Sequence, residues 1–285
     1  MGMHQIPAEA LKAVCEKLDG RYGLYVSVPD TGEKFVLNGD EIFSAASTIK
    51  IPMLALLFQD AEAGLVDLQK KIQVKPDNRV IGSGILRSLS PDLELSLFDI
   101  ANLMIVMSDN SATNEVADAV GMDRVRQYCI DNGYQNTWMW RKMFFKGPLP
   151  EPQVPEGLPV NATTASDLGR MMESIAAGTC VSEAASRKMV QIMAGQRLAR
   201  LKTLLPWAER VEPYAETLEL PKEGQVVAAS KGGTLTSIGI AHDAAFFYLP
   251  DGRYYVMVMC TQTSSVDAAT KVINEAGLVM YEAMK

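Results

Sequence analysis

Three short runs of the chain carry residue types able to do acyl-transfer chemistry. The first is Ser47-Thr48-Ile49-Lys50, where a loop enters a strongly apolar segment. A serine at a helix start gains from the helix dipole and from backbone N–H groups that lack a helical partner. A lysine three residues on lies on the same face. Surrounded by Phe43, Ile49, Ile51, Pro52 and Met53, this lysine is expected to be buried. Burial disfavours the ammonium and lowers its pKa, so the amine becomes a base for the serine hydroxyl. The same residues also read as a capping serine followed by an ordinary surface lysine. The second run, Ser108-Asp109-Asn110, offers a hydroxyl to relay a proton and an amide to donate to a substrate carbonyl. A helix end followed by a new N-cap would use the same residue types. In the third run, Lys231-Gly232-Gly233-Thr234, a fixed positive charge stands beside a glycine pair that lets a backbone or ligand approach closely. A β-bulge or turn is the plainer alternative there.

Composition narrows the chemistry further. The chain has 285 residues and only two histidines, His4 and His242. That leaves little room for a histidine zinc site or a histidine-dependent triad, so the expectation is chemistry without imidazole, metal or organic cofactor. Cys15, Cys129, Cys180 and Cys260 are far apart and form no C-x-x-C pair, so they read as buried thiols. A net charge of -7 disfavours a nucleic-acid partner, which needs clustered positive charge. The longest apolar run, Ile51 to Phe58, is far too short to span a bilayer. A monomer acting on a small molecule is expected. The N-terminus reads as part of an amphipathic helix with no signal peptide. The protein is therefore expected in the cytoplasm, or outside it if a leader has been removed.

These runs need elements to position them. Residues 6–18 read as an amphipathic helix, and Tyr22 to Val28 with Lys34 to Leu37 as a hairpin through Pro29-Asp30-Thr31-Gly32. After Ser47 the apolar residues run nearly all round, as in a helix buried in a core, with Pro52 tolerated in its first turn. Further helices are expected at Leu97 to Met107, Ala112 to Val120, Met122 to Asn132 and Thr164 to Ala176, the last capped by Thr164 and Asp167. Lys146 to Pro159 holds five prolines and two glycines, so it reads as a loop. Strands return at Gln225 to Ala229, Ser237 to Leu249 and Tyr254 to Thr261, followed by a last helix from Ser265 to Met284. Strands at both ends with helices between imply an α/β (α+β) fold. Its antiparallel sheet is flanked by N- and C-terminal helices and built from residues 1–47 and 196–285. A helical domain, 48–195, is inserted in it, and the active site lies at their interface.

Taken together and in order, the three runs resemble the class A β-lactamase-like serine hydrolases of the β-lactamase and penicillin-binding superfamily. The likeness extends to Phe43-Ser44-Ala45-Ala46 before Ser47, to Gly82-Ser83-Gly84-Ile85-Leu86, to Ser111-Ala112-Thr113-Asn114 and to Asn161 through Leu168. It implies a five-stranded sheet, Ser47 as the acylated nucleophile, Lys50 as its base and Ser108 as the relay to the leaving group. Asn110 and Lys231 would position the substrate. Gly233 would lie beside the oxyanion hole, formed by the backbone N–H groups of Ser47 and Thr234.

Three departures accompany the likeness. Where the family carries a glutamate that activates the deacylating water, the stretch Arg141-Lys142-Met143 offers a thioether, which cannot take a proton from water. Glu151 and Glu156 are the nearby carboxylates. Gly232 replaces a hydroxyl residue. The strand from Ser237 to Leu249 has no arginine to hold a substrate carboxylate, and its one candidate cation, His242, reads as structural. The expectation is an acyl-serine hydrolase with slow or altered deacylation and a weakened carboxylate anchor, acting on a β-lactam, ester or amide. A penicillin-binding-type or biosynthetic esterase or amidase is the alternative, as is a catalytically impaired β-lactam-binding protein.

Overall fold

The computed structural model describes residues 5–147, 154, 156–208 and 219–285. Its first elements are α1 (Ala8–Cys15), β1 (Gly20–Val28), β2 (Glu33–Leu37) and β3 (Phe43–Ser44), followed by a 3-10 turn (Ala46–Ile49) that runs into α2 (Lys50–Glu62). Then come β4 (Lys71–Gln73), β5 (Glu94–Ser96), α3 (Leu97–Val106), α4 (Asn110–Val120), α5 (Met122–Asp131), β6 (Trp138–Met139), β7 (Asn161–Thr163), α6 (Ala165–Ala176) and α7 (Glu183–Ala194). The chain closes with β8 (Val227–Leu235), β9 (Ile240–Tyr248), β10 (Tyr254–Thr263) and α8 (Val266–Met284). The sheet is five-stranded and antiparallel, in the order β2-β1-β10-β9-β8, as the sequence implied.

Strand alternation explains how one sheet serves two cores. Successive side chains point to opposite faces. Leu24, Val26, Ala228, Ala245, Phe247, Met257 and Met259 pack with α1 and α8 on one face. Tyr25, Val227, Ala229, Ala244, Phe246, Val256 and Val258 pack with the helices α2 to α7 on the other. The same period carries Lys231 and Gly233 onto the helical face, in step with Val227 and Ala229. Pairing across β8 and β9 is unbroken through Lys231, Gly232 and Gly233, so the glycine pair is neither a bulge nor a turn.

The element at the centre of the helical cluster is α2. From Lys50 to Phe58 every residue is buried, and each large apolar side chain there contributes roughly 1.5–3 kcal/mol of burial. Pro52 falls in its first turn, where its missing N–H costs little. The capping expectation for α6 holds: Thr164 Oγ1 accepts from Asp167 N at 3.0 Å. The strand edges between β8 and β9 differ from the sequence reading. The strand expected to end at Ala229 continues to Leu235, and the strand expected from Ser237 begins only at Ile240. Between them lies a 3-10 turn over Thr236–Ile238, closed by Gly239 at φ 68°, a left-handed conformation that suits glycine. All four cysteines are buried and unpaired. No helix among the described residues is long and apolar enough to cross a membrane.

Candidate active site

Ser47 lies in the 3-10 turn that leads into α2, on the wall of a cleft of about 1080 Å³. The residue before it, Ala46, has φ 47°, and Ser108 has φ 52°. Positive φ in a non-glycine residue is strained and persists only where the surroundings hold it. Phe144, a third such residue at φ 53°, lines the same cleft. Strain is thus concentrated where the candidate chemistry lies.

The loop that carries Ser108 is held from two sides. Asp109 caps α4 by accepting from Ala112 N at 3.0 Å. Its other oxygen accepts from Ile85 N at 2.6 Å and Leu86 N at 2.8 Å. This clamp requires glycine at two places: a Cβ on Gly84 would lie 2.1 Å from the Asp109 carboxyl carbon, and one on Gly82 would lie 2.4 Å from Asn110 Nδ2. The Gly82-Ser83-Gly84 run is therefore a surface shaped to fit the Ser108-Asp109-Asn110 loop.

Two lysines converge on the Ser108 hydroxyl. Lys50 Nζ, at the start of α2, donates to Ser108 Oγ at 3.1 Å, to Ser108 O at 2.7 Å and to Asn110 Oδ1 at 3.1 Å. Lys231 Nζ, reaching from β8, donates to Ser108 Oγ at 3.0 Å and to Gly232 O at 2.7 Å. Both lysines are fully buried, which rules out the surface reading of Lys50. Burial, reinforced by the charge of Lys231, holds the Lys50 ammonium well below the usual lysine range, with Asp109 opposing. Burial also brings Lys231 down to about 7, with Asp243 opposing the fall and Arg200 adding to it.

Gly233 closes the site from the sheet side. A Cβ there would stand 3.1 Å from Ser47 N and 3.1 Å from Ala46 Cβ, so β8 approaches the Ser47 backbone as closely as the chain permits. Gly232 faces away from the cleft, and a Cβ on it would lie 3.1 Å from Leu198 O; the segment packed there leaves little room for a side chain. Thr234 is exposed and lines the cleft with Ser47 and Asn110.

A cation is present where the strand supplied none. Arg200, from the segment after α7, donates from Nη2 to Thr234 Oγ1 at 2.7 Å, from Nη1 to His242 O at 3.2 Å and from Nε to Thr270 Oγ1 at 3.0 Å. Its backbone N–H and that of Leu201 bond to Asp243 Oδ2 at 2.6 and 2.8 Å. Sequence reasoning missed Arg200; the available signal was Asp243, a carboxylate in the middle of an apolar strand that needed donors. His242 is structural. Its Nε2 contacts Ser44 O at 2.9 Å, its Nδ1 accepts from Thr261 N at 3.0 Å, and burial lowers its pKa to about 4.

The cleft is also lined by residues 141–145 and 157–161. Met143 lines the cleft with its backbone fixed by Asn114: Met143 N donates to Asn114 Oδ1 at 2.8 Å, and Asn114 Nδ2 donates to Met143 O at 3.0 Å. Glu156 is exposed and does not line the cleft, and Glu151 lies outside the described residues. Among the described residues that line the cleft there is no carboxylate.

A five-stranded antiparallel sheet and a helical cluster, with a serine, two buried lysines and a second serine beside one cleft, are the arrangement of a serine hydrolase of the β-lactamase type. The beta-lactamase enzyme family matches residues 6–284, and the chain belongs to that family. Among its curated relatives, the β-lactamases CARB-3 and PSE-4 of Pseudomonas aeruginosa are each 26% identical over 202 residues, covering 69% of this chain and 67% of theirs. A β-lactamase from Sphaerobacter thermophilus superposes with a TM-score of 0.81 at 29% identity, over 97% of this chain and 96% of its own. PBP-A superposes with a TM-score of 0.76 at 25% identity, over 98% and 96%. A leucine-to-glutamate variant of PBP-A, solved as an acyl-enzyme complex with penicillin G, superposes with a TM-score of 0.78 at 27% identity, over 97% and 94%.

Proposed function

We propose that the protein is a penicillin-reactive acyl-serine enzyme that acylates readily on Ser47 and deacylates slowly. The observation that carries this reading is the convergence of Lys50 and Lys231 on Ser108 Oγ, at 3.1 and 3.0 Å, beside the cleft that holds Ser47. Lys50, whose ammonium is disfavoured by burial, serves as the base and takes the Ser47 hydroxyl proton as Oγ attacks the substrate carbonyl carbon. The oxyanion forms between the backbone N–H groups of Ser47 and Thr234, which are fixed dipoles and need no reorganisation during the step. As the carbon–nitrogen bond breaks, the leaving nitrogen takes the Ser108 proton. Lys50 returns a proton to Ser108 along their hydrogen bond and is neutral again. Lys231, protonated at and below about pH 7, stabilises the anionic Ser108 formed in passing, while Asn110 orients the substrate.

A substrate carboxylate on the leaving-group side is held by Thr234, with Arg200 behind it at 2.7 Å. The anchor is thus rebuilt from a different segment, despite Gly232 and the absence of an arginine on β9. Deacylation is the weak step. Met143 supplies no base, and no carboxylate lines the cleft among the described residues, so water meets the ester without a general base, help worth about 10²–10⁴ in rate. This favours a penicillin-binding role over rapid β-lactam hydrolysis.

Intact-mass spectrometry with penicillin G tests the reading. One equivalent of the intact drug should add to the wild type and persist, and Ser47→Ala should remain unmodified. A wild type that gains no adduct, or a Ser47→Ala protein that gains the same one, overturns it.

A further inference from the structure

Arg141 stands apart from the other cations of the cleft. Arg21, Arg141 and Lys142 all line it. Arg21 is paired with Glu41 and also bonds Ile42 O at 2.9 Å and Gln262 Oε1 at 3.1 Å. Lys142 is paired with Asp118 and bonds Asn78 Oδ1 at 3.3 Å. The Arg141 side chain is half-buried, and its Nε is shut off from solvent with no hydrogen-bond partner. A guanidinium with one N–H withdrawn from water and left unpaired carries a cost, and its remaining N–H groups are free to meet an anion.

The surroundings hold that cation in place without neutralising it. The neighbouring residue suited to answer it, Asn161, is an uncharged amide. Asn161 Oδ1 accepts from Trp140 N at 2.9 Å and Arg141 N at 3.1 Å, and its Nδ2 donates to Arg141 O at 2.9 Å. Two of these bonds hold the Arg141 backbone, the third holds the residue before it, and none engages the guanidinium. The carbonyl of Asn161 accepts from Ala45 N at 2.8 Å, which ties this wall to the turn that carries Ser47. Arg141 is thus tied by backbone hydrogen bonds to the segment that meets the turn carrying Ser47, a different part of the lining from Thr234.

We infer that Arg141 is a second anion subsite, and that the preferred acyl donor is a dianion with one carboxylate on the leaving-group side and another on the acyl side. The inference rests on the acyl-serine reading above for the orientation of the substrate. A planar guanidinium donates to a carboxylate through two parallel N–H groups, which gives direction as well as charge. With no carboxylate among the described lining residues, nothing there competes with the substrate for it.

Penicillin G and carbenicillin, its derivative with a carboxylate on the acyl side chain, separate the two anion sites. Their dissociation constants are measured calorimetrically on the non-acylating Ser47→Ala protein, alone and combined with Arg141→Gln, Arg141→Lys or Lys142→Gln. The expected result is tighter binding of carbenicillin, a preference that falls roughly 10- to 100-fold with Arg141→Gln, as for a lost charged hydrogen bond, and is partly kept with Arg141→Lys. Lys142→Gln, whose ammonium is already paired, should leave the preference within about threefold. Because no described residue pairs with the Arg141 side chain, Arg141→Gln should melt no lower than its parent. Equal binding of the two drugs, no binding of either, or an equal loss of preference with Lys142→Gln overturns the inference. Failure of the acyl-serine reading is read separately, as the absence of any adduct on the wild type in the mass assay.

Discussion

Replacing Lys231 with methionine should make the protein more stable while abolishing its acylation. The magnitude follows from burial. The Lys231 ammonium falls from its ordinary value of 10.5 to about 7 in the fold. At about 1.4 kcal/mol per pH unit that gap is worth roughly 5 kcal/mol against folding wherever both states are protonated, which is below pH 7. Methionine of similar length removes that cost but leaves Gly232 O without its donor at 2.7 Å, a loss of about 1–3 kcal/mol, while Ser108 Oγ, losing Lys231, keeps Lys50 as a donor. A net gain of roughly 2–4 kcal/mol at pH 6 is left. The sign of the pH dependence is fixed as well. Between the folded and unfolded values the unfolded chain binds more protons, so wild-type stability rises with pH from about 7 towards 10.5, and the variant's advantage should shrink by about 3 kcal/mol between pH 6 and pH 9. Buried thiols such as Cys15, pushed up to about 12, titrate in both proteins and cancel in the difference. Urea unfolding at pH 6, 7.5 and 9, extrapolated to water, gives the comparison. A variant less stable at pH 6, or an advantage that does not change with pH, would refute the reasoning.

Two other substitutions probe the remaining steps. Met143→Glu adds a carboxylate at a backbone position already clamped by Asn114. It should speed loss of the penicillin G adduct by at least about a hundredfold, read as the decay of the adduct mass; an unchanged lifetime would place the slow step elsewhere. Arg200→Ala, which leaves Thr234 Oγ1 without its donor, should lower the second-order acylation rate with penicillin G roughly 10- to 100-fold. The methyl ester of the drug, lacking the anion, should be affected much less, and equal effects on both would remove Arg200 from carboxylate binding.

What the sequence made legible was whatever local chemistry determines. The all-apolar run after Ser47 announced a buried helix, and with it a buried Lys50, because a helix with no polar face has nowhere to sit but a core. Strand-like runs near both ends of the chain, with helical periods between, announced a sheet built from the two ends around an inserted helical region. Thr164 was legible as a cap because its side chain answers an N–H only three residues away. The rest depended on contacts between distant segments. Arg200 reaches Thr234 only because the Asp243 carboxylate fixes the Arg200 and Leu201 backbone, a link with no signature in spacing. The end of β8 was misplaced because a glycine pair weakens any strand pattern, whereas the ladder to β9 carries the strand through it. The fit of Gly82 and Gly84 to the Asn110 and Asp109 side chains is likewise a matter of two surfaces meeting.

The scarcity of histidine acquires a physical reason from the same contacts. An imidazole has an ordinary pKa near neutrality and needs little adjustment to serve as a base. A lysine begins at 10.5 and must be desolvated and set against like charge before its amine is free. The fold supplies both by burying Lys50 and Lys231 on one hydroxyl, with Arg200 behind Lys231. A further carboxylate beside them, added to Asp109 and Asp243, would stabilise the ammonium forms and raise those pKa values. A cleft wall without acids among its described residues therefore suits the acylation step, and it is the same condition that leaves the acyl-enzyme without a base for water. On the proposed function, a fast first half of the reaction and a slow second half would follow from one electrostatic choice, and an anionic substrate is what such a cleft would attract.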